Sequence, residues 1–225
     1  MPEPHPIAGM LSAAAELRFP PMDGGVDRVA PWRPGVGAVV AFTGHAVLAV
    51  DPTVTKDLLS TLHLDGFGGA THPRVVTALA GPDGWIDSLD AVLVARGTGL
   101  GSDDVVPRPD LAEHERVRHA RLIRNDVRVW GPAPGTPADG ALITIARGLG
   151  GLTELSIEIP AAAHGRGVGR ALTAAALDLC ARDEVVVAAV APGNAASLRA
   201  ALAVGFQPVA SVQLYCPARP NTIRT

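Results

Sequence analysis

Three glycines occupy alternate positions in a five-residue stretch, at Gly165, Gly167 and Gly169. They follow an alternating apolar run at Leu155–Ile159 and precede a run with helical periodicity that reaches about Ala181. Glycine permits positive φ angles and a close approach to the backbone. Such a turn at the start of a helix directs several free N–H groups toward one point, where the helix dipole adds roughly half a positive charge. The pattern therefore predicts a site where the backbone binds a phosphate or pyrophosphate group.

The residues around these glycines exclude two common phosphate-binding motifs. A P-loop requires Lys followed by Ser or Thr after its glycines, and this chain has Arg170 and Ala171 there. A dinucleotide-binding turn requires Gly-x-Gly-x-x-Gly and an acidic residue at the end of the next strand. Here the glycines alternate, and the next predicted strand, Val185–Val190, is followed by Ala191 and Pro192.

The remaining pattern resembles motif A of the GNAT acetyltransferase superfamily. Residues His164–Gly169, HGRGVG, resemble (Gln/Arg)-x-x-Gly-x-(Gly/Ala) after a strand and at the start of a helix. Residues Asn194–Phe206, NAASLRAALAVGF, resemble the second signature of the family, Asn…Leu-Tyr…Gly-Phe. The resemblance covers residues 88–217, which we expect to form a GNAT-like acetyltransferase domain. It implies an α/β fold with a mixed, mostly antiparallel sheet flanked by helices, and leaves residues 1–87 as an additional N-terminal α/β region of unknown role.

The resemblance also implies that acetyl-CoA is the cofactor. The turn amides would bind the CoA pyrophosphate, with His164 where the family usually has Gln or Arg. The strand Leu155–Ile159 would bulge and separate from the parallel strand Val185–Val190. The pantetheine arm would lie in that gap, and a main-chain N–H there would polarise the thioester carbonyl. The implied cofactor-binding residues are Ile157, Glu158, Ile159, His164, Gly165, Arg166, Gly167, Val168, Gly169, Arg170, Asn194 and Ser197.

Acetyl transfer to an amine requires a neutral amine and a proton for the leaving thiolate. Glu154 and Glu158 lie on one face of the predicted strand because they alternate with apolar residues. Glu154 matches the position where many family members have a glutamate that acts as the base, and Glu158 lies nearer the thioester end. The tyrosine that usually acts as the acid in the family aligns with Ala201 here, which leaves Tyr215, the single tyrosine of the chain, as the alternative donor. The non-catalytic alternatives are that Glu154 and Glu158 are solvated carboxylates on a half-exposed strand and that Tyr215 is a buried strand residue.

The charged segment Leu111–Arg124 matches the region that lines the acceptor side in this family. Its four arginines are offset by acidic neighbours, so a solvated helical face is favoured over a site for an acidic acceptor. His114 and His119 are five residues apart and do not share a helical face, so no metal site is predicted.

Composition sets the class of protein. The chain has 225 residues, of which 48% are hydrophobic, and a net charge of −3, so it should be globular with no general attraction to nucleic acid. Cys180 and Cys216 fit no disulfide framework or metal spacing, and the N-terminal residues lack the pattern of a secretory signal. We therefore expect a cytoplasmic protein of bacterial type that binds neither nucleic acid nor membranes. The expected partner is a small-molecule or peptide amine, and a homodimer stays open.

The remaining elements follow from periodicity and turn residues. We predict a short helix at Ile7–Phe19, a hairpin from Val39–Ala41 and Ala46–Val50, and a helix at Arg74–Ala80 that ends at Gly81. Further strands are predicted at Leu89–Ala95, Val127–Trp130, Ala141–Ala146, Leu152–Ile159 and Phe206–Tyr215. The sequence thus favours acetyl-CoA-dependent N-acetyltransfer to a primary amine by direct attack. A non-catalytic acyl-CoA-binding regulatory or interaction module is the alternative, because Ala201 cannot donate a proton.

Overall fold

The computed structural model describes residues 3–217, which form a mixed α/β fold. The helices are α1 (Pro6–Ala14), α2 (Lys56–Thr61), α3 (Pro73–Ala80), α4 (Glu115–Ile123), α5 (Val168–Leu179) and α6 (Ala195–Leu202). The strands are β1 (Val26–Val29), β2 (Gly37–Phe42), β3 (His45–Ala49), β4 (Trp85–Arg96), β5 (Val106–Pro107), β6 (Asn125–Gly131), β7 (Leu142–Arg147), β8 (Thr153–Glu158), β9 (Val185–Val190) and β10 (Gln207–Cys216). Most neighbouring strands are antiparallel, so the predicted fold class is confirmed.

The chain divides into two compact units. Unit 1 comprises the residues up to Val92 and those from Val209 onward, and unit 2 comprises Leu93–Pro208. The predicted domains, 1–87 and 88–217, differ from this division mainly in the last strand, because most of β10 belongs to unit 1.

Unit 1 contains the predicted hairpin. Strands β2 and β3 pair antiparallel around Thr43 and Gly44, and Gly44 has a φ of +72°. Strand β10 pairs with the other side of β2, and β1 pairs parallel with β3. The core of unit 1 includes Val39, Leu48 and the ring of Tyr215.

The helices of unit 1 begin and end at residues suited to those positions. Helix α3 starts at Pro73 after the capping side chain of His72, and it ends where Gly81 adopts a φ of +74°. Helix α1 ends at Ala14, earlier than the predicted Phe19, and the chain turns at Leu17 with a φ of +60°. Among the described helices, none is long and apolar enough to cross a membrane.

Unit 2 contains the elements that carry both sequence motifs. Its strands lie in the order β9-β8-β7-β6-β5, with β7 antiparallel to both of its neighbours and β8 parallel to β9. Leu142, Ile143 and Ile145 of β7 are buried. Helix α5 follows β8 after the glycine turn and contacts that strand, while α4 contacts β6 and β7. Unit 2 therefore places the glycine turn at the end of β8, as the motif predicts.

Candidate functional site

The glycine turn connects the end of β8 to the start of α5. Gly165 and Gly167 have φ angles of +75° and +78°, and a Cβ added at either position would meet open space. Gly169 is helical, and an added Cβ would lie 3.0 Å from Cδ1 of Ile159. Two glycines thus allow the turn, and the third allows α5 to pack closely against the residue that follows β8.

The backbone amides of this turn donate no hydrogen bond to the part of the chain that the structure describes. Within the described residues, none of the N–H groups from Gly165 to Arg170 donates to another group of the chain, and the first to do so is that of Ala171, to the Gly167 carbonyl. Gly167 is the N-cap of α5 and has no side chain to satisfy these donors. The turn is exposed, so the donors and the positive end of the helix dipole are available to an anion.

The side chains of the turn divide into two kinds. The Nε2–H of His164 donates to the carbonyl oxygen of Ile159 at 2.9 Å, which fixes the imidazole against the end of β8. Arg166 and Arg170 are exposed. The cations nearest the free amides are therefore these two arginines, whereas the ring of His164 is held by the backbone.

The strands beside the turn stop pairing partway along their length. Thr153 and Glu154 of β8 pair with Val186 and Val187 of β9, yet β8 continues to Glu158 and β9 to Val190. Beyond the paired residues, the side chains on both strands become partly exposed. The pairing thus ends where the motif implies that the two strands separate, and the glycine turn follows directly.

Glu154 lies in a closed environment. Its side chain is 5% exposed, and its Oε1 is 2.5 Å from a guanidinium nitrogen of Arg124. Its Oε2 accepts the backbone N–H of Leu149 at 2.8 Å, and a Cβ on Gly148 would lie 2.0 Å from this oxygen. Both carboxylate oxygens of Glu154 are therefore engaged by the protein.

Glu158 lies four residues further along the same face and is much more open, with a side chain that is 40% exposed. Nε of Arg116 donates to its Oε2 at 3.0 Å, and Nε2 of His114 is 3.8 Å from its Oε1. His114 is also the N-cap of α4, because its Nδ1 accepts the N–H of Arg116. One oxygen of Glu158 is thus held by an arginine, and the other remains within reach of a further ligand.

The third predicted catalytic residue, Tyr215, is enclosed in the core of unit 1. Tyr215 belongs to unit 1, is 1% exposed, and its hydroxyl lies 3.5 Å from the carbonyl oxygen of Ala49. Burial raises the pKa of its phenol well above the usual 10. Ala201 is itself buried in α6. The proton-donor role predicted for Tyr215 has no support in this position.

Two further predicted residues form a helix cap. Oδ1 of Asn194 accepts the N–H of Ser197 at 3.1 Å, so these residues start α6 together.

Neither cysteine is placed as a nucleophile, since both are buried. Burial raises the pKa of the Cys180 thiol to about 11, and its Sγ lies 3.1 Å from the carbonyl oxygen of Ala176.

Sequence reasoning missed the partners of the two glutamates. Arg116 and Arg124 lie in the segment that we interpreted as a solvated charged face, yet each forms an ion pair with a glutamate of β8. A signal was present, because the two arginines are eight residues apart and the two glutamates four. These spacings give nearly equal lengths in a helix and in a strand.

No protein-family model matches this chain, and no curated protein matches it. Among solved structures, it is similar to a protein from Novosphingobium aromaticivorans DSM 12444 described as belonging to the GNAT family of acetyltransferases. The identity is 18%, the TM-score is 0.41, and the match covers 60% of this chain and 68% of that one. It is also similar to a GCN5-related N-acetyltransferase from Kribbella flavida, with 17% identity, a TM-score of 0.38 and 65% of each chain covered. At these values neither similarity assigns a family or an activity, so the proposal below depends on the site itself.

Proposed function

We propose that this chain is an acetyl-CoA-dependent N-acetyltransferase that acts on a primary amine by direct attack. The observation that carries the proposal is the row of free amides from Gly165 to Arg170 at the end of a strand pair that separates. Free amides alone would suit any anion. The unpaired strand edge beside them also offers main-chain hydrogen bonds to an extended arm, which is the combination that CoA requires.

Three parts of acetyl-CoA have residues in this chain that would bind them. The turn amides, with Arg166 and Arg170 nearby, would neutralise the pyrophosphate. The backbone of β8 beyond Glu154 would pair with the amide groups of the pantetheine arm. A main-chain N–H near Ile157 or Ile159 would stabilise negative charge on the thioester oxygen.

Glu158 is our candidate for the group that accepts the proton of the amine. It is accessible, and it lies on the strand edge next to the separation, whereas both oxygens of Glu154 are engaged. Bound acetyl-CoA supplies a thioester: the amine nitrogen bonds to its carbonyl carbon, the carbon–sulfur bond breaks, and CoA leaves as a thiolate. Glu158 would take the proton from nitrogen, and water would protonate the thiolate, since Ala201 stands where the family has its tyrosine. Direct attack is supported by the burial of both cysteines.

The cofactor part is tested by calorimetry with acetyl-CoA on a matched pair of variants, Gly167→Asp and Gly135→Asp. Both glycines are exposed, both have a φ of +78°, and both face open space. The backbone strain should therefore be similar, on the order of 1–2 kcal/mol. We expect Gly167→Asp to abolish binding, because a carboxylate then faces the pyrophosphate, and Gly135→Asp to bind normally. Unchanged affinity in Gly167→Asp would remove the cofactor site.

The catalytic part is tested by thiol release from acetyl-CoA against a panel of primary amines. Turnover that falls in Glu158→Gln, while acetyl-CoA affinity is retained, would support the transferase. Binding of acetyl-CoA without turnover on any amine would favour a non-catalytic acyl-CoA-binding module, the alternative that Ala201 supports.

A further inference from the structure

The ion pair between Arg124 and Glu154 is the most deeply buried charged contact near the site. The two side chains are 9% and 5% exposed, and Glu154 has the N–H of Leu149 as a second partner. Buried charges are costly unless they are paired, and removal of one partner leaves the other uncompensated. This pair therefore strongly favours the one arrangement of α4 and β8 in which its members meet.

A second ion pair joins the same two elements at their opposite ends. Arg116 and Arg124 are eight residues apart, which corresponds to about 12 Å along a helix. Glu154 and Glu158 are four residues apart, which corresponds to about 13 Å along a strand. Helix α4 itself packs on β6 and β7. Because Arg124 meets Glu154 and Arg116 meets Glu158, its arginine side chains reach β8, and the helix runs in the opposite direction to that strand with an ion pair at each end.

The two ends differ in strength. The side chains of Arg116 and Glu158 are 41% and 40% exposed, so their pair is screened by solvent and contributes little by itself. Ser156, between the two glutamates on the same face, is bonded to Thr144 within the sheet and not to α4. The position of Arg116 on Glu158 therefore depends on the buried end of the helix.

We propose that Glu154 and Arg124 are positioning residues, which fix the end of α4 relative to β8 so that Arg116 orients the carboxylate of Glu158. The kinetic part of this inference rests on the proposed function, whereas the structural part does not. It assigns different roles to two glutamates of one strand face: Glu158 exchanges the proton, and Glu154 fixes the helix that orients Glu158.

A double-mutant cycle separates this role from direct proton transfer by Glu154. Glu154→Gln removes the negative charge that faces the buried Arg124, and Arg124→Met removes the positive charge that faces the buried Glu154. Each should lower kcat by about 100-fold, the effect of a displacement near 1 Å, with acetyl-CoA affinity retained. The double variant leaves no uncompensated buried charge to displace α4, which still packs on β6 and β7 through its buried apolar residues. Its kcat should therefore recover to within about tenfold of wild type. If Glu154 is itself the base, the double variant stays as slow as Glu154→Gln, which overturns the proposal.

A structural measurement keeps the test independent of turnover. We expect the Nε–H resonance of Arg116 to have the same chemical shift in the double variant as in wild type, and to be shifted or lost in both single variants. Arg118→Met, which removes an exposed arginine from the same helix, should leave this resonance and kcat unchanged. If wild type acetylates no amine, the proposed function fails, and the Arg116 resonance alone decides the positioning role. If the single variants do not fold, the double variant alone decides. A kcat 100-fold below that of wild type in the double variant, or loss of its Arg116 Nε–H resonance, would overturn the inference.

Discussion

Removal of the Tyr215 hydroxyl should affect stability slightly and catalysis not at all. The ring is enclosed in the core of unit 1, and a Cβ on Gly37 would lie 2.2 Å from its Cζ. Phenylalanine fills the same space, so Tyr215→Phe loses only the contact between the hydroxyl and the Ala49 carbonyl oxygen. At 3.5 Å this hydrogen bond is at the long limit, and its loss should cost no more than about 1 kcal/mol.

Thermal denaturation and thiol release measure the two consequences. In a unit of this size 1 kcal/mol corresponds to roughly 4–8 °C, so the Tm of Tyr215→Phe should fall by no more than about 8 °C. The value of kcat with any accepted amine should equal that of wild type. Because burial raises the pKa of Tyr215 above 10, no limb of the pH–rate profile below pH 10 should change either.

The opposite result has a clear signature. A general acid contributes about 100-fold or more to the rate, so a loss of that size in Tyr215→Phe with an unchanged Tm would refute the placement argued here. Gly37→Ala is the companion variant, because its methyl group would overlap the ring. It should destabilise the protein by about 1–3 kcal/mol, which shows that the ring is fixed in the core.

Three further predictions concern charge and capping. Burial disfavours the imidazolium form of His45, but hydrogen bonds from its two ring nitrogens to Asp23 and Asp27 raise its pKa. The contribution of His45 to stability is therefore complete below about pH 6.5 and is lost as pH rises through the raised pKa. The Tm of wild type should therefore fall relative to that of His45→Gln above pH 6.5, and parallel Tm curves would contradict this. Arg108 lowers the pKa of Asp110, and the Gly135 N–H together with Arg108 lowers that of Asp139. The Tm deficit of Arg108→Met should therefore be full at pH 7 and shrink below about pH 4, whereas a constant deficit would place the effect in the bond to the Pro132 carbonyl alone. Asn194→Ala should lower stability by about 1 kcal/mol through loss of the α6 cap and leave acetyl-CoA affinity unchanged in calorimetry; weaker binding would restore a direct contact with the cofactor.

The sequence predicts most of the helices and strands that are bounded by glycine or proline or that consist of a long apolar run. Strand β9 has the predicted bounds, and α3 ends at Gly81 as expected. Strand β1 was missed because Val26–Val29 is short and half polar, and it forms only by parallel pairing with β3. Strand β4 begins at Trp85, earlier than the predicted Leu89, because polar residues interrupt the apolar pattern of its first half.

The candidate site also has one part that the sequence predicts and one part that it does not. The glycine turn is local, so the motif locates it and the structure adds which glycines serve the turn and which serves packing. The partners of Glu154 and Glu158 are 30 and 42 residues away in the sequence, and no local pattern of the glutamates indicates them. Only the matched spacings on α4 and β8 connect the two pairs, and that match can be interpreted only when the direction of the helix relative to the strand is known.

The two glutamates also show why residue type and face are insufficient to assign a catalytic base. Glu154 and Glu158 are the same residue type on the same face of one strand, and the motif resemblance in the sequence predicts Glu154 as the base. Their surroundings differ: the carboxylate of Glu154 is enclosed between a guanidinium and a backbone N–H, whereas the side chain of Glu158 is 40% exposed and lies beyond the point where β8 stops pairing with β9. A base must contact the amine whose proton it takes, so access decides between them. The sealed carboxylate then retains a role through the helix that it holds, which is why its loss should slow a reaction that it never touches.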